Sequence, residues 1–404
     1  MKILSLFDGM ACGALAMQAA GIEIDKYIAY EIDKYAIQTA QHNFPFIEER
    51  GDVFKADFKE YAGFDYLVGG SPCTYWSIAQ TKNRETVASG MGWELFSQYV
   101  RALHEAKPRF FLYENNKSMS AAIRASITET FGFEPILINS ALVSAQNRQR
   151  LYWCGIRQAD GTYKKADIQQ PADRGILLKD ILETNALIWQ EKANTYTTRC
   201  QGAIIENTLE KHQHTMVAEP ICVNSKSGRA GVEGLQPSLQ DRVYDTAGKM
   251  PAVTTNFNPK IAEPLNVDGI KYCTDKNIAH ICRPFGSKAK VITENEKAPT
   301  LMAAMGTGGG NGVYYAENMK IREITKAAPI YEVKDGLIIV KGKKYPIKLV
   351  DGFYIIRKLT VRECMRLQTV PEWYEWPVSK SQAYKMLGNG WTVEVIAHLL
   401  RGLK

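Results

Sequence analysis

The sequence lacks the features of secreted, zinc-binding and membrane-spanning proteins. No two of its cysteines form a CxxC pair, and the eight lie apart at positions 12, 73, 154, 200, 222, 273, 282 and 364. Scattered cysteines are typical of a reducing compartment rather than of a disulfide framework. The first apolar run covers only residues 3–7, too short for a signal peptide, and no apolar run could span a bilayer. We therefore expect a cytoplasmic protein without a membrane partner.

The sequence also lacks the patterns of a metal site and of a phosphate-binding P-loop. The pairs His212/His214 and His280/Cys282 have no partner at a recognised metal-ligand spacing, so no metal site is predicted. The glycine-rich stretch 306–312 is not followed by Lys-Ser or Lys-Thr, which excludes a P-loop.

What the sequence does contain is typical of a large soluble enzyme. Its 404 residues are 45% hydrophobic and 23% charged, which suits two or three globular domains. The formal net charge of +7 weakly favours an acidic partner such as nucleic acid.

Strands and helices alternate through residue 156, which predicts a doubly wound α/β domain. The first strand runs into the glycine-containing loop 8–13 at the start of a helix, a place where a ligand can approach the backbone. Glu31 follows the second strand, and Asp52 lies at the end of the third. Acids at successive strand ends suit a nucleoside ligand, although each could instead be a solvated helix-start residue.

Cys73 follows the buried strand 66–68 through a turn made by Gly69, Gly70 and Pro72. A thiol at this edge of a sheet can be a nucleophile when a positive neighbour stabilises the thiolate; otherwise it is a small buried hydrophobe. Later strands bring Glu114, Arg148 and Arg150 to the same edge. The carboxyl could be an acid, a base or a helix cap, and the arginines could bind phosphate, bind a carbonyl oxygen or remain solvated.

The periodicity ends after residue 157. From 158 to 356 the chain is rich in Thr, Asn, Gly and Lys and shows no convincing long helix. Residues 243–255 and 291–303 resemble each other, with a fainter third copy around 195–199, which suggests a duplicated hairpin in an irregular β domain. Residues 357–404 are helical again, beginning with a capping-box pattern at 360–363.

Taken in order, these elements resemble the DNA cytosine-5 methyltransferases. The matching stretches are Ser5–Gly9, Tyr30–Glu31, Gly51–Val53, Gly69–Cys73, Tyr113–Asn115, Gln146 with Arg148 and Arg150, Arg357–Pro371 and Gly388–Asn389. Each is a weak signal alone, but the ordered set is specific. The core is similar to the de novo eukaryotic enzymes in "SLFDGMACG", "GGSPC" and "WTVEVIAHL", whereas the long insert resembles bacterial or phage enzymes.

The resemblance implies a Rossmann-like, S-adenosylmethionine-dependent methyltransferase domain at residues 1–157. It also implies a smaller, irregular β-rich target-recognition domain at 158–356, and a segment at 357–404 that returns to the catalytic domain. The implied activity is methyl transfer from S-adenosyl-L-methionine to C5 of a flipped-out cytosine in a specific sequence of double-stranded DNA. A monomer in a bacterial or phage-infected cell is expected, in restriction-modification or phage protection.

The resemblance also assigns roles to the catalytic residues. Cys73 corresponds to the nucleophile that adds to cytosine C6, and Glu114 to the glutamate that hydrogen-bonds N3 and the amino group. Arg150 corresponds to the arginine at O2, and Arg148 would support the Cys73 loop or bind phosphate. The polar loop 80–92 would be a lid over the flipped base.

The implied cofactor contacts come from four places. The loop at the methionine end comprises Phe7, Asp8, Gly9, Met10, Ala11 and Cys12. Glu31 would bind the ribose, Ile32 would pack on the adenine, and Asp52 with Val53 would line its edge. Asn389 and Trp391 would close over the methionine side.

Two residues beside the site differ from the family pattern, and two alternative functions are considered. Thr74 stands where many relatives have Gln or Asn, and Asn116 where many have Val, which affects fine positioning. The RNA-directed cytosine-5 branch shares the core but has a shorter recognition region. An inactive DNA-binding subunit would lose the thiol, the glutamate or the arginines, all of which are present here.

Overall fold

The computed structural model describes residues 1–77, 84–183, 186–188, 190–195, 204–212, 214–220, 243–244, 260–261 and 330–403. Its largest element is an eight-stranded sheet in the order β3-β2-β1-β4-β5-β7-β6, with β8 paired to β7. The strands are β1 (Lys2–Leu6), β2 (Lys26–Tyr30), β3 (Glu48–Glu49), β4 (Tyr66–Gly69), β5 (Phe110–Asn116), β6 (Ile136–Asn139), β7 (Gln149–Arg157) and β8 (Tyr163–Lys165).

Strands β1 to β5 are parallel, and their register aligns their ends. Leu6 pairs with both Tyr30 and Gly69, and Gly69 pairs with Tyr113. The next residues along the chain, Phe7, Glu31 and Gly70, therefore leave the sheet side by side at one edge, next to Glu114 of β5, which continues to Asn116. Strand β7 is antiparallel to β5, so that its first residues, rather than its last, reach this edge.

Helices cover both faces of the sheet, and two apolar clusters fill the space beneath them. The helices are α1 (Cys12–Ala19), α2 (Lys34–Asn43), α3 (Met91–Ala106), α4 (Ala121–Phe131), α5 (Ile205–Lys211), α6 (Val361–Leu367), α7 (Lys380–Asn389) and α8 (Val393–Gly402). Helices α3 and α4 pack on one face, and α1, α2 and α8 on the other. The predicted doubly wound α/β fold is confirmed.

Helix α8 returns the C-terminal segment to the sheet. Its buried side chains include Val393, Ile396, Leu399 and Leu400, which belong to the same cluster as the apolar residues of α1. Each buried side chain of this size contributes about 1.5–3 kcal/mol. This packing carries the residues immediately before α8 to the edge where β1 and β4 end.

A second sheet is β-rich and antiparallel, as predicted. Its order is β14-β13-β12-β15-β9. The strands are β9 (Met216–Pro220), β12 (Ile330–Lys334), β13 (Leu337–Val340), β14 (Lys343–Pro346) and β15 (Gly352–Lys358), and two further short strands, β10 (Val243–Tyr244) and β11 (Lys260–Ile261), pair in parallel. Arg357, near the end of β15, joins this sheet to α6 through hydrogen bonds to Glu219 and Glu363.

The structure adds one helix to the sequence-based expectations. Residues 357–404 were predicted to be helical, but α7, which ends with residues 387–389, was not predicted as a separate helix. The repeated segments and the glycine-rich stretch lie almost entirely outside the described residues. Only residues 243–244 of the repeat at 243–255 and residue 195 of the third copy are described, and the repeat at 291–303 and the glycine-rich stretch 306–312 are not. No helix in the described ranges combines the length and apolar character that crossing a bilayer requires.

Candidate active site

The turn that carries Cys73 is fastened to the neighbouring strand β5. Cys73 begins a short 3₁₀ helix and is partly exposed. Before it, the buried Ser71 hydroxyl hydrogen-bonds the Tyr113 hydroxyl at 2.7 Å. The Asn115 amide donates to the Ser71 carbonyl at 3.1 Å. Because Tyr113 and Asn115 flank Glu114, the thiol-bearing turn and the glutamate are held by the same strand.

Gly70 lets the two segments approach closely. A Cβ atom at this position would lie 2.8 Å from the Glu114 carbonyl oxygen and 3.0 Å from Glu114 Oε2. The first distance is shorter than real Cβ contacts and involves backbone, which has no room to move. A glycine is therefore required for the Glu114 carboxylate to lie against the Cys73 turn.

The Glu114 carboxylate has a different partner on each oxygen, an ion pair with Arg150 on one and a hydrogen bond from Trp391 on the other. Arg150 Nε lies 3.1 Å from Oε1, and both side chains are largely buried, 14% exposed for the arginine and 13% for the glutamate. Trp391 Nε1 donates to Oε2 at 3.0 Å. Three predicted site residues, from β5, β7 and the C-terminal segment, thus meet in one cluster.

Arg148 is buried and lies deeper than expected. It is 3% exposed, and its Nη2 donates to the carbonyls of Gly388 at 3.3 Å and Gly390 at 2.8 Å. Burial, together with the positive charge of Arg150, lowers the pKa of the guanidinium to about 10. The sequence-based expectation placed Arg148 on the Cys73 loop or a phosphate; in the structure it holds the segment that precedes Trp391.

The loop after β1 and the end of β2 are joined through Glu31. Its Oε2 accepts from the Gly9 N–H at 2.9 Å, and Oε1 accepts from the N–H groups of Ile32 and Asp33 at 2.8 Å each. The Ile32 side chain is 78% exposed. An apolar side chain left in solvent beside a fixed carboxylate suits a flat, partly polar ligand.

The remaining predicted cofactor residues line the same edge. Asp52 caps the short helix at 53–55 by accepting from the Phe54 N–H at 3.0 Å, while Val53 is buried. Phe7 and Ala11 have positive φ values, which turn the loop sharply between β1 and α1.

The C-terminal segment covers this loop. The Tyr374 hydroxyl donates to the Met10 carbonyl at 2.7 Å, and Cys12 Sγ lies 3.9 Å from the Trp391 carbonyl oxygen. Burial raises the pKa of the Cys12 thiol to about 12, so it is not a nucleophile at neutral pH. Asn389, in contrast, is exposed at the end of α7.

Two acids, one in this loop and one at the end of β3, have buried carboxylate oxygens. Asp8 Oδ1 accepts hydrogen bonds from Ser5 and Tyr27, and burial raises the pKa of Asp8 to about 6. Glu49 was missed by the sequence analysis. Among the residues that the structure describes, its buried carboxylate oxygens have no hydrogen-bond partner, and burial, with the charges of Asp8 and Glu31, raises its pKa to about 8. The strand register brings the Glu49 carboxylate into the interior, because Glu49 pairs with Ala29 of the buried strand β2.

The expected lid is described only in part, because residues 78–83 lie outside the described ranges. The part that follows is attached to the core. Glu85 accepts from Trp76 Nε1 at 3.0 Å and from the Gly92 N–H at 3.2 Å. Of the two departures, Thr74 is exposed, whereas Asn116 is buried and hydrogen-bonded to Asn115. Across the described ranges, no group of three or more His, Cys, Asp or Glu side chains is arranged to hold a metal ion.

Comparison with known proteins identifies similar methyltransferases. An orphan methyltransferase, M.SPRI of Bacillus phage SPR, is 26% identical over 455 residues that cover 100% of this chain and 97% of that protein. The type II methyltransferase M.HgiCI of Herpetosiphon aurantiacus is 25% identical, with coverage of 100% and 97%. The solved structure of the Entamoeba histolytica methyltransferase EhMeth is similar in fold, with a TM-score of 0.52, 10% identity and coverage of 100% and 97%.

The family comparison covers the entire sequence. The model of the family described as C-5 cytosine-specific DNA methylase matches residues 1–404, which includes the β1 loop, the Cys73 turn and the C-terminal segment. The chain therefore belongs to the C-5 cytosine-specific DNA methylases.

Proposed function

We propose that this DNA cytosine-5 methyltransferase acts through a covalent adduct between Cys73 and the target base, with S-adenosylmethionine as methyl donor. One observation carries the proposal: the Cys73 turn and the Glu114–Arg150 pair lie together at the edge of the sheet where the parallel strands end. Ligands of open α/β sheets bind at this edge.

In the proposed reaction, the Cys73 thiolate forms an Sγ–C6 bond, and the electron pair of the C5–C6 double bond makes C5 nucleophilic. Arg150, at the carbonyl oxygen O2, and Glu114, at N3 and the amino group, stabilise the charge that develops in the ring. C5 then takes the methyl group. Loss of the C5 proton to a base and release of the thiolate restore the double bond and free the enzyme.

The residues around the β1 loop fit S-adenosylmethionine. When bound, it would supply an electrophilic methyl group on a positively charged sulfur. An ionised carboxylate has about four acceptor sites, and three on Glu31 are used by backbone N–H groups, which leaves one for a ribose hydroxyl. Ile32 and Phe54, 78% and 46% exposed, would provide apolar contacts for the adenine.

For the rest of the chain we propose the division expected from the sequence: residues 1–157 for catalysis, 158–356 for target recognition, and 357–404 returning to the catalytic domain. Because duplex DNA buries C5 and C6 in the base stack, the target must be flipped out before Cys73 can reach it. The relatives from a Bacillus phage and from a type II system support bacterial or phage double-stranded DNA as substrate. We further propose a monomer in the cytoplasm of a bacterial or phage-infected cell.

A duplex carrying 5-fluorocytosine tests the covalent step. Fluorine at C5 cannot leave as a cation, so after methyl transfer the Sγ–C6 bond cannot be released and a denaturant-stable adduct accumulates. We expect the adduct with wild-type protein and S-adenosylmethionine, and none with Cys73→Ala. Adduct formation by Cys73→Ala would refute the role of Cys73. A transfer RNA substrate assayed in parallel with labelled cofactor should remain unmethylated.

A further inference from the structure

The indole of Trp391 hydrogen-bonds the Glu114 carboxylate, although the sequence assigned this residue to the cofactor. We propose that Trp391 is a positioning residue that holds Glu114 in the orientation needed to meet the target cytosine. The inference rests on the proposed function, because it concerns how Glu114 performs its part in the reaction.

Arg150 and Trp391 restrain the Glu114 carboxylate in different ways. Arg150 contacts Oε1 at 3.1 Å, and a contact with one oxygen restrains the broad rotation of the carboxylate about its terminal bond less than contacts with both oxygens do. Trp391 contacts Oε2 at 3.0 Å and approaches from the C-terminal segment rather than from the sheet. With both oxygens held, the plane of the carboxylate is fixed before the base arrives, which lowers the entropy lost in the reaction.

Trp391 is itself held in place by a buried polar network. The carbonyl of Gly390 accepts from Arg148 Nη2 at 2.8 Å and from Gln368 Nε2 at 3.4 Å. On the other side, the buried Thr392 hydroxyl donates to Gln368 Oε1 at 2.9 Å. Because both neighbours of Trp391 are fixed in this way, the indole is presented from a rigid backbone, as positioning groups require.

Through this network Arg148 acts indirectly on the Glu114 carboxylate. Arg148, immediately before β7, reaches Gly390, and Arg150, within β7, reaches Glu114. Arg148 and Arg150 therefore act on the same carboxylate, one through Trp391 and one directly.

An indole N–H suits this position for a chemical reason. It donates one hydrogen bond, accepts none and carries no charge at any pH of interest. It can therefore orient the carboxylate through Oε2 without taking the oxygen that Arg150 contacts and without adding a charge. The acceptor sites that remain on Glu114 are left for the cytosine amino group.

A reaction without cofactor separates the two possible roles of Trp391. Addition of Cys73 to C6 makes C5 basic, so that C5 takes a proton from the solvent. The tritium at C5 is then lost to water, and the thiolate leaves as the double bond re-forms. This exchange needs Cys73 and Glu114 but no methyl donor. We would measure tritium release from DNA labelled at C5, together with kcat and the KM for S-adenosylmethionine.

We expect Trp391→Phe to lower both tritium release and kcat by roughly 10- to 100-fold, the range for losing one hydrogen bond to a charged group, with little change in the KM for cofactor. Trp376→Phe is the matched control, since it removes an indole N–H that contacts Met365 Sδ; it should change neither rate. If Trp391→Phe fails to fold by circular dichroism, benzothienylalanine at position 391, which replaces the N–H by sulfur and keeps the ring shape, makes the same test.

The outcomes are distinct. Wild-type tritium release in a Trp391 variant, with a raised KM for cofactor, would assign Trp391 to the cofactor and overturn the inference. Absence of both tritium release and the 5-fluorocytosine adduct in the wild-type protein would instead refute the proposed function.

Discussion

Glu363 makes four hydrogen bonds at the junction between the second sheet and the catalytic domain. Its side chain is 0% exposed. Oε1 accepts from Arg357 Nη2 at 3.0 Å and the Glu183 N–H at 3.1 Å; Oε2 accepts from Arg357 Nη1 at 2.9 Å and the Thr360 N–H at 2.8 Å. Replacement by glutamine keeps the shape but turns one acceptor oxygen into a donor, which then faces two N–H groups.

The magnitude of the effect follows from these contacts. Each buried donor left unsatisfied costs about 1–3 kcal/mol, and breaking a buried ion pair by removing one partner costs about 3–5 kcal/mol in total. We therefore expect Glu363→Gln to lower the free energy of unfolding by about 3–5 kcal/mol. At a urea dependence of a few kcal/mol per molar, this shifts the urea midpoint by about 1 M or more.

The stabilisation by the Glu363 carboxylate depends on pH, and the direction of this dependence follows from its pKa. Burial alone would raise the pKa of Glu363, but hydrogen bonds from Arg357 and from the backbone outweigh it and lower the pKa below the ordinary 4.5. The stabilisation is therefore present above about pH 4.5 and is lost as the pH falls through the folded-state pKa. Because glutamine does not titrate, the difference between wild type and variant should be large at pH 7 and shrink as the pH falls from 4.5 through the lowered folded-state pKa.

Urea denaturation at pH 7 and at acid pH, followed by tryptophan fluorescence, measures both expectations. Glu219→Gln is the matched control, since Glu219 contacts the same Arg357 at 2.7 Å but is 35% exposed. We expect that control to cost less than about 1 kcal/mol. Equal midpoints for the two variants at pH 7, or a difference that persists unchanged in acid, would show that the buried carboxylate does not stabilise the junction as argued.

Three further predictions concern the candidate site. Gly70→Ala should lower kcat without preventing folding, because its Cβ would displace Glu114; an unchanged kcat would contradict the close approach. Arg150→Lys should lower kcat by roughly 10-fold or more while DNA affinity in a gel-shift assay is retained, since lysine lacks the planar donor group that Arg150 presents; a wild-type rate would remove Arg150 from the site. For Glu49, whose pKa is raised from 4.5 to about 8, stability is lost as the pH rises between these values. Glutamine at position 49 does not titrate, so the free energy of unfolding of Glu49→Gln should rise relative to that of wild type between pH 5 and pH 9 in urea denaturation. A difference between the two proteins that stays constant over this range would refute the burial argument.

Much of the fold could be predicted because its signals are local. Apolar runs that end at Glu31, Cys73 and Glu114 identify parallel strands, and such strands in one sheet must end at the same edge. Residues 357–404 were predicted to be helical, but α7 was not identified as a separate helix; in the structure it ends at Asn389, between two glycines, which are poor helix formers.

The sequence alone therefore determined the α/β class, the family and the strand ends at which the thiol and the carboxylate lie. Tertiary structure decided which groups meet there. Trp391 reaches Glu114 across 277 residues of sequence because α8 packs on α1. Arg148 turns inward to carbonyls 240 and 242 residues away. Local patterns specify where an element begins, ends and exposes its apolar face, but the partner of a buried polar group depends on how distant elements pack, which no local pattern records.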